Sequence, residues 1–344
     1  MTDFAWGLIG PGGIAHRFAD AVHRLPGMHL RSVLGRDATR AAAFVTHWTR
    51  AGKPAPQRAA SLEAMLADDA IHAVYIATPH ASHGEFARRC IAAGKPVLCE
   101  KVLVPHLAEA QALVALAQDR SVFLMEALWT RFLPLYALLK QRLAAGDIGR
   151  VHAIQSSFCF AVPFNADSRL FNHALAGGTL LDIGIYNLAA TRWILQAALG
   201  HCPEPTRMRA TGVLAPSGVD QRVTATLEFP QGITSQFTCA FDSASDNALH
   251  ILGSEGCITL PRNFWEATDA TLHCPGRMPE MLHAPFAVNG FEGEIEETMR
   301  CVRAGLLQSP QMPHAESLAI VSWLDELRRQ LGVRYPFELK ESKP

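Results

Sequence analysis

The sequence predicts an α/β protein: a doubly wound parallel sheet in the first third, then an α+β domain on an antiparallel or mixed sheet. Three observations predict it. Up to about Glu126, short apolar runs alternate with helical periodicity. Beyond it, alternating strand patterns follow one another with only short turns between them. Between the first strand and the first helix lies a glycine-rich hexapeptide. At 344 residues the chain is long for one hydrophobic core. Two domains are expected, residues 1–125 and 126–344, with the last helices able to pack back on the first domain.

In order, Trp6 to Ile9 reads as a strand, and Ile14 to Leu25 as a helix with apolar spacing at Phe18, Val22 and Leu25. Leu30 to Leu34 is a second strand and Thr39 to Trp48 an alanine-rich helix. Ala51 to Ala60, polar and with two prolines, reads as a surface loop. Ala73 to Ala77, Pro96 to Cys99 and Val122 to Met125 are strands, separated by helices at Ser82 to Ala93 and Leu107 to Gln118. Then come strands at Val151 to Phe160, Met208 to Leu214, Arg222 to Phe229, Thr234 to Phe241, Ala248 to Leu252 and Cys257 to Leu260. Helices are expected at Leu188 to Leu199, Gly290 to Ala304 and Ala315 to Leu331.

Composition narrows the function. The apolar fraction is 49% and the charged fraction 18%, as in a well-buried globular enzyme. With 31 basic and 32 acidic residues the formal net charge is -1, so no overall field recruits nucleic acid or an anionic membrane. No stretch is apolar for long enough to span a bilayer. The 8 cysteines include no CxxC pair and no histidine cluster with zinc spacing, so no metal site is expected; they read as small buried hydrophobes of a reducing compartment. Without a signal-like N-terminus, the chain reads as cytoplasmic.

Gly10-Pro11-Gly12-Gly13-Ile14-Ala15 fits the GxGxxG/A dinucleotide fingerprint of a Rossmann domain. Gly10 would make the tight turn, Gly12 the close backbone approach to pyrophosphate, and Ala15 the tight helix–strand contact. Gly13 and Ile14 open the helix whose free N–H groups face phosphate. At the end of the second strand, Val33-Leu34-Gly35-Arg36-Asp37 has glycine where an NAD site places its carboxylate. Arg36 can pair with a 2′-phosphate, which favours NADP with NAD as the alternative; the duller reading makes Arg36 a solvated residue and Asp37 a helix cap.

Further chemistry-bearing residues fall where such sheets bind ligands. Thr78-Pro79-His80-Ala81-Ser82-His83 follows one strand, and Glu100-Lys101 ends the next. Thr78, Pro79, His80, His83 and Glu100 are assigned to the cofactor, although His83 reads equally as a satisfied helix-terminal histidine. Asp182-Ile183-Gly184-Ile185-Tyr186 follows Gly177 and Gly178. If helical, its four-residue spacing puts carboxylate and phenol on one face. On spacing alone Tyr186 is a core residue, and Asp182 is as easily a cap.

These segments, with Met125-Glu126-Ala127-Leu128-Trp129-Thr130-Arg131-Phe132, together resemble the glucose–fructose oxidoreductase/inositol dehydrogenase (Gfo/Idh/MocA) family across essentially the whole chain. The branch resembled holds the dihydrodiol and NADP-dependent xylose dehydrogenases. The resemblance implies a second domain with an open, mainly antiparallel sheet, often used to form a homodimer. It puts the catalytic lysine on Lys101, its acid/base partner on Tyr186 and the nearby acid on Asp182. Where the family reads Glu-Lys-Pro, Val102 stands for proline. Trp129, Arg131 and Phe132 would then line the substrate pocket with Lys101, Asp182 and Tyr186. A phenol with a pKa of about 10 is a poor base near neutrality, and a neighbouring ammonium stabilises the phenolate. The expected activity is hydride transfer between NADP and a small molecule: a sugar, cyclic polyol or trans-dihydrodiol. A silent nucleotide sensor and a carbonyl or enone reductase are the alternatives.

Overall fold

The structure is a computed structural model that describes residues 3–49 and 52–338. The chain forms two compact units, Met1–Phe132 with Ala287–Ala319 and Leu133–Phe286 with Ile320–Pro344. The first unit thus takes residues 287–319, from the last part of the chain, together with its N-terminal segment.

In the first unit, a six-stranded parallel sheet runs in the order β3-β2-β1-β4-β5-β6 among the described residues. Its strands are β1 (Phe4–Ile9), β2 (Met28–Leu34), β3 (Gln57–Arg58), β4 (Ala73–Ile76), β5 (Val97–Glu100) and β6 (Leu124–Ala127). Order reverses between β1 and β4, so a crevice opens there at the carboxyl ends of the strands. The helices are α1 (Gly13–Arg24), α2 (Ala38–Trp48), α3 (Leu62–Leu66), α4 (His83–Ala92) and α5 (Leu107–Asp119). Phe18 of α1 stacks on Tyr75 of β4 with ring centroids 3.8 Å apart, both fully buried. Of the expected loop from Ala51 to Ala60, Ala51 lies outside the described residues, and Gln57–Arg58 pairs with β2 as β3. The expected strand Val122 to Met125 begins later, at Leu124.

Residues 287–319 belong to this unit through specific bonds. Leu124 N donates to Leu307 O at 3.1 Å, and the His314 ring lies 2.9 Å from Leu124 O. Ahead of both runs α8 (Glu292–Arg303), packed on α1.

The second unit is built on an open eight-stranded sheet, order β14-β13-β12-β11-β7-β10-β9-β8 among the described residues. It comprises β7 (Val151–Cys159), β8 (Arg207–Leu214), β9 (Asp220–Glu228), β10 (Thr234–Ala240), β11 (Leu249–Gly253), β12 (Cys257–Leu260), β13 (Asp269–His273) and β14 (Glu280–His283). Every pairing is antiparallel except β7 with β10. On one face lie α6 (Pro134–Ala144), which opens on a proline as a first helical turn allows, and α7 (Ile185–Leu199). Asn187 Nδ2 donates to Ser156 Oγ at 2.8 Å, and Thr191 Oγ1 lies 2.7 Å from Ser235 Oγ, so two polar ties fix α7 to β7 and β10. The last helix, α9 (His314–Leu331), begins in the first unit and continues into the second. No described helix is long and apolar enough to cross a membrane.

Candidate active site

The glycine turn after β1 has the shape the fingerprint requires. Gly10 sits at φ +93, and a Cβ there would lie 2.6 Å from Ala77 O. Only glycine combines that left-handed backbone with that approach. Gly10 N donates to Leu34 O at 2.9 Å, and Gly12 N to Gly10 O at 2.8 Å. Helix α1 starts at Gly13 with no side-chain cap and no acidic residue in its first turn. A Cβ on Gly12 or Gly13 would meet no atom within 4 Å. Free N–H groups and the positive end of a helix thus face open space, as a pyrophosphate requires. Ala15 is fully buried, whereas Ile14 remains 39% exposed.

At the end of β2 the packing decides against a carboxylate. A Cβ on Gly35 would lie 2.9 Å from Pro11 Cγ and 3.2 Å from Ala41 Cβ. Asp37 accepts from Arg40 N at 2.9 Å as the cap of α2, and that bond lowers its carboxyl pKa. Arg36 is exposed beside this turn. The donor set fits a dinucleotide bearing an extra phosphate on its ribose.

On the other side of the crevice, the β4–α4 connection is a 3₁₀ turn, His80–Ser82, held by Ser82 Oγ on Thr78 Oγ1 (2.9 Å) and Pro79 O (2.8 Å). His83 is fully buried: Nδ1 lies 2.8 Å from Val102 O and Nε2 2.8 Å from Thr78 O. Burial lowers its pKa, against the pull of those carbonyls. His83 thereby braces the Thr78 loop against the segment after Lys101. His80 is 8% exposed at the same turn, with the two rings 5.7 Å apart.

Lys101 follows β5 directly, half-buried, and its peptide bond to Val102 is cis. Glu126 of β6 accepts from Leu103 N at 2.8 Å, which anchors the stretch after Lys101. Glu100 points the other way, into the sheet layer, where Tyr75 Oη donates to its Oε1 at 2.5 Å. Burial, then the Glu100 charge, pushes the Tyr75 phenol well up, so Tyr75 remains a hydrogen-bond donor. Beneath this pair lies Glu294 of α8, a residue the sequence reading did not single out. It is 0% exposed, and neither carboxyl oxygen has a hydrogen-bond partner among the described residues. Burial and the nearby Glu100 push its pKa well above the carboxylate range, opposed by Arg17. Burial and the Glu100 charge thus both favour the protonated form of Glu294.

Three of the expected substrate residues occupy the 3₁₀ turn Trp129–Phe132. Trp129 is 3% exposed, packed on Phe291 (centroids 5.1 Å) with the Arg17 guanidinium 4.5 Å from its ring. Arg131 forms a buried ion pair with Glu316 at 3.0 Å. Phe132 is half-buried, and its carbonyl would lie 2.7 Å from a Cβ on Gly293. Within this unit, Trp129 and Arg131 are packed residues that tie β6 to residues 287–319.

In the second unit the Asp182–Tyr186 stretch is helical. A π-helical turn, Leu180–Gly184, runs straight into α7. Asp182 is 4% exposed and accepts from Arg169 Nη1 at 2.8 Å. Tyr186 is 8% exposed, its ring 5.7 Å from Phe158. The tyrosine and the carboxylate thus lie one helical turn apart. Asn172 caps the short turn His173–Leu175, its Oδ1 accepting from Ala174 N and Leu175 N.

Comparison with known proteins agrees with this geometry. Residues 4–128 match the oxidoreductase family with an NAD-binding Rossmann fold, and 136–259 match the GFO/IDH/MocA C-terminal domain. The trans-1,2-dihydrobenzene-1,2-diol dehydrogenase of Mus musculus is 32% identical over 338 residues, covering 96% of this chain and 98% of the relative. That of Danio rerio is 33% identical over 340 residues, covering 96% and 97%. Among solved structures, KijD10, a 3-ketoreductase from Actinomadura kijaniata in complex with NADP and TDP-benzene, superposes with a TM-score of 0.80 at 25% identity, covering 96% and 98%. The aldose-aldose oxidoreductase of Caulobacter crescentus shares the fold, with a TM-score of 0.83 at 21% identity over 95% of this chain and 97% of its own. The chain belongs to the GFO/IDH/MocA family of NAD(P)-dependent oxidoreductases.

Proposed function

We propose that this enzyme transfers hydride between NADP and a trans-dihydrodiol, sugar or cyclic polyol, with Tyr186 as acid/base and Lys101 as its assistant. The observation that carries the reading is the likeness to trans-1,2-dihydrobenzene-1,2-diol dehydrogenases over 96% of the chain. NADP rather than NAD is supported at the end of β2, where Gly35 leaves no room for a carboxylate and Arg36 is exposed.

When bound, the nicotinamide supplies the hydride acceptor. The protein's part is to hold the alcohol and move its proton. Tyr186 Oη takes the hydroxyl proton as hydride leaves carbon, and Lys101 Nζ stabilises the phenolate that must precede this step. Asp182, already paired with Arg169, orients a hydroxyl of the substrate or the lysine. His83 and Glu126 keep the segment beside Lys101 in place. The 3-ketoreductase likeness favours a second reading, the same residues working toward reduction, with Tyr186 returning the proton to the carbonyl oxygen.

A cytoplasmic homodimer accompanies this proposal. All 8 cysteines are free thiols, as a reducing compartment maintains. The sheet face bearing Gln155, Thr224 and Gln236 is exposed and supports pairing of two copies through the second unit.

The test is to mix the protein with NADP⁺ or NAD⁺ and a panel of trans-dihydrodiol, aldoses and inositol, following reduced nicotinamide by absorbance. Turnover faster with NADP⁺ upholds the reading. Tight nucleotide binding without turnover in either direction would turn it toward a sensor.

A further inference from the structure

Helix α7 and its leading turn have no local cap: Thr179, at the head of the Leu180–Gly184 turn, makes no side-chain capping bond to it. The role is filled from across the sheet. Asp220, the first residue of β9, is 0% exposed, and its Oδ2 accepts from Leu180 N at 2.6 Å and from Thr179 Oγ1 at 2.8 Å. A carboxylate there faces the positive end of a helix and satisfies a donor that the helix cannot satisfy itself. Asp220 Oδ1 has no hydrogen-bond partner among the described residues, an arrangement that costs stability and needs a reason.

The surrounding backbone is shaped around this carboxylate. Gly178 sits at φ +121, and a Cβ on it would collide with Asp220 Oδ1. Gly177 O accepts from Tyr335 Oη at 2.6 Å, and Gly178 N donates to Leu170 O at 2.8 Å, so the turn is pinned on both sides. Asp182 N in turn donates to Gly178 O at 3.2 Å. The chain therefore runs from Asp220 through Thr179 and Leu180 to Asp182, and reaches Tyr186 six residues beyond the anchored amide.

We propose that Asp220 is a positioning residue for the reaction: it clamps the start of the helix that carries Asp182 and Tyr186 and so fixes where the phenol sits. The inference rests on the reading of Tyr186 as acid/base. Asp220 touches no reacting atom. Its effect is geometric, and a displacement of about 1 Å at a reacting group costs up to ~100-fold in rate.

The experiment uses the full chain, with kcat normalised to the number of NADP sites titrated by nicotinamide fluorescence. Asp220→Ala removes the acceptor, and kcat falls on the order of tenfold or more while NADP affinity and stoichiometry hold. Asp220→Asn keeps an acceptor oxygen for Leu180 N and Thr179 Oγ1, and restores kcat to within about threefold of the parent. Should Asp220→Ala fail to fold, Thr179→Val removes one of the two bonds and lowers kcat by about threefold, whereas Thr179→Ser does not. Equal kcat for Asp220→Ala and the parent, or equal loss in the alanine and asparagine variants, would overturn the positioning role. So would NADP affinity falling in step with kcat. Tyr186→Phe is measured alongside: full turnover there defeats the tyrosine reading itself, whereas loss there with an unaffected Asp220→Ala defeats only the clamp.

Discussion

Glu294→Gln should stabilise the protein increasingly as pH rises. In the native state Glu294 is fully buried with no partner for either oxygen among the described residues, and burial followed by the Glu100 charge raises its pKa well above the usual carboxylate value. Unfolding returns it to an ordinary value near 4.3. Between those two values the native protein holds a proton that the unfolded chain releases. Each rising pH unit in that window therefore costs about 1.4 kcal/mol of stability. The stabilising contribution of the buried neutral acid is complete below the unfolded pKa and lost as pH rises through the folded one. Glutamine has the size of the neutral acid and no proton to lose. The assay is denaturant unfolding of parent and variant at pH 5.5, 6.5 and 7.5, read as the difference between them at each pH. That difference should grow by about 1.4 kcal/mol per unit until the native pKa is passed, then level off. Parallel behaviour across the range would show that Glu294 ionises normally and that the reasoning from its burial is wrong.

Three other substitutions probe the scaffold. Arg36→Ala should weaken NADP binding by about tenfold or more and leave NAD within about twofold, measured by fluorescence titration with each nucleotide. Gly178→Ala forces a side chain into a φ of +121 and into Asp220, at about 1–3 kcal/mol in stability and a fall in kcat larger than any change in NADP affinity. His83→Phe removes the ring N–H that lies between the Thr78 and Val102 carbonyls, at about 1–3 kcal/mol in thermal or denaturant unfolding.

The first sheet was legible because local chemistry and tertiary structure agree there: Gly10 to Ala15 can hardly be anything but a turn between strand and helix, and the crevice follows from strand order. Elements that exist only through a partner left no local mark. Gln57–Arg58 is a strand because β2 offers an edge, and the two short strands β13 and β14 extend a sheet whose interior strands carried the pattern. The sequence reading passed over α6, although Pro134 suits a helix start. Lys101, Asp182 and Tyr186 were assigned through the motif, an assignment that spacing alone could not make. Arg169, on an irregular stretch, had nothing in its neighbours to announce its bond to Asp182. Glu294 was in principle legible: with Thr298 and Cys301 it repeats at four and three residues along the buried face of α8. A glutamate on such a stripe reads as solvated until its burial is seen. Asp220 opens a strand, and no local pattern tells that its carboxylate caps a helix 40 residues earlier.

The central claim is that Lys101 and Tyr186 perform the chemistry on an NADP-dependent dehydrogenase scaffold. Single-turnover oxidation of the best alcohol of the panel by the NADP⁺-loaded protein tests it most directly, with Lys101→Met and Tyr186→Phe beside the parent. The account predicts that both variants bind NADP⁺ as the parent does and lose at least about 100-fold in the hydride-transfer rate. If either variant transfers hydride at the parent rate, the residue assignment is contradicted.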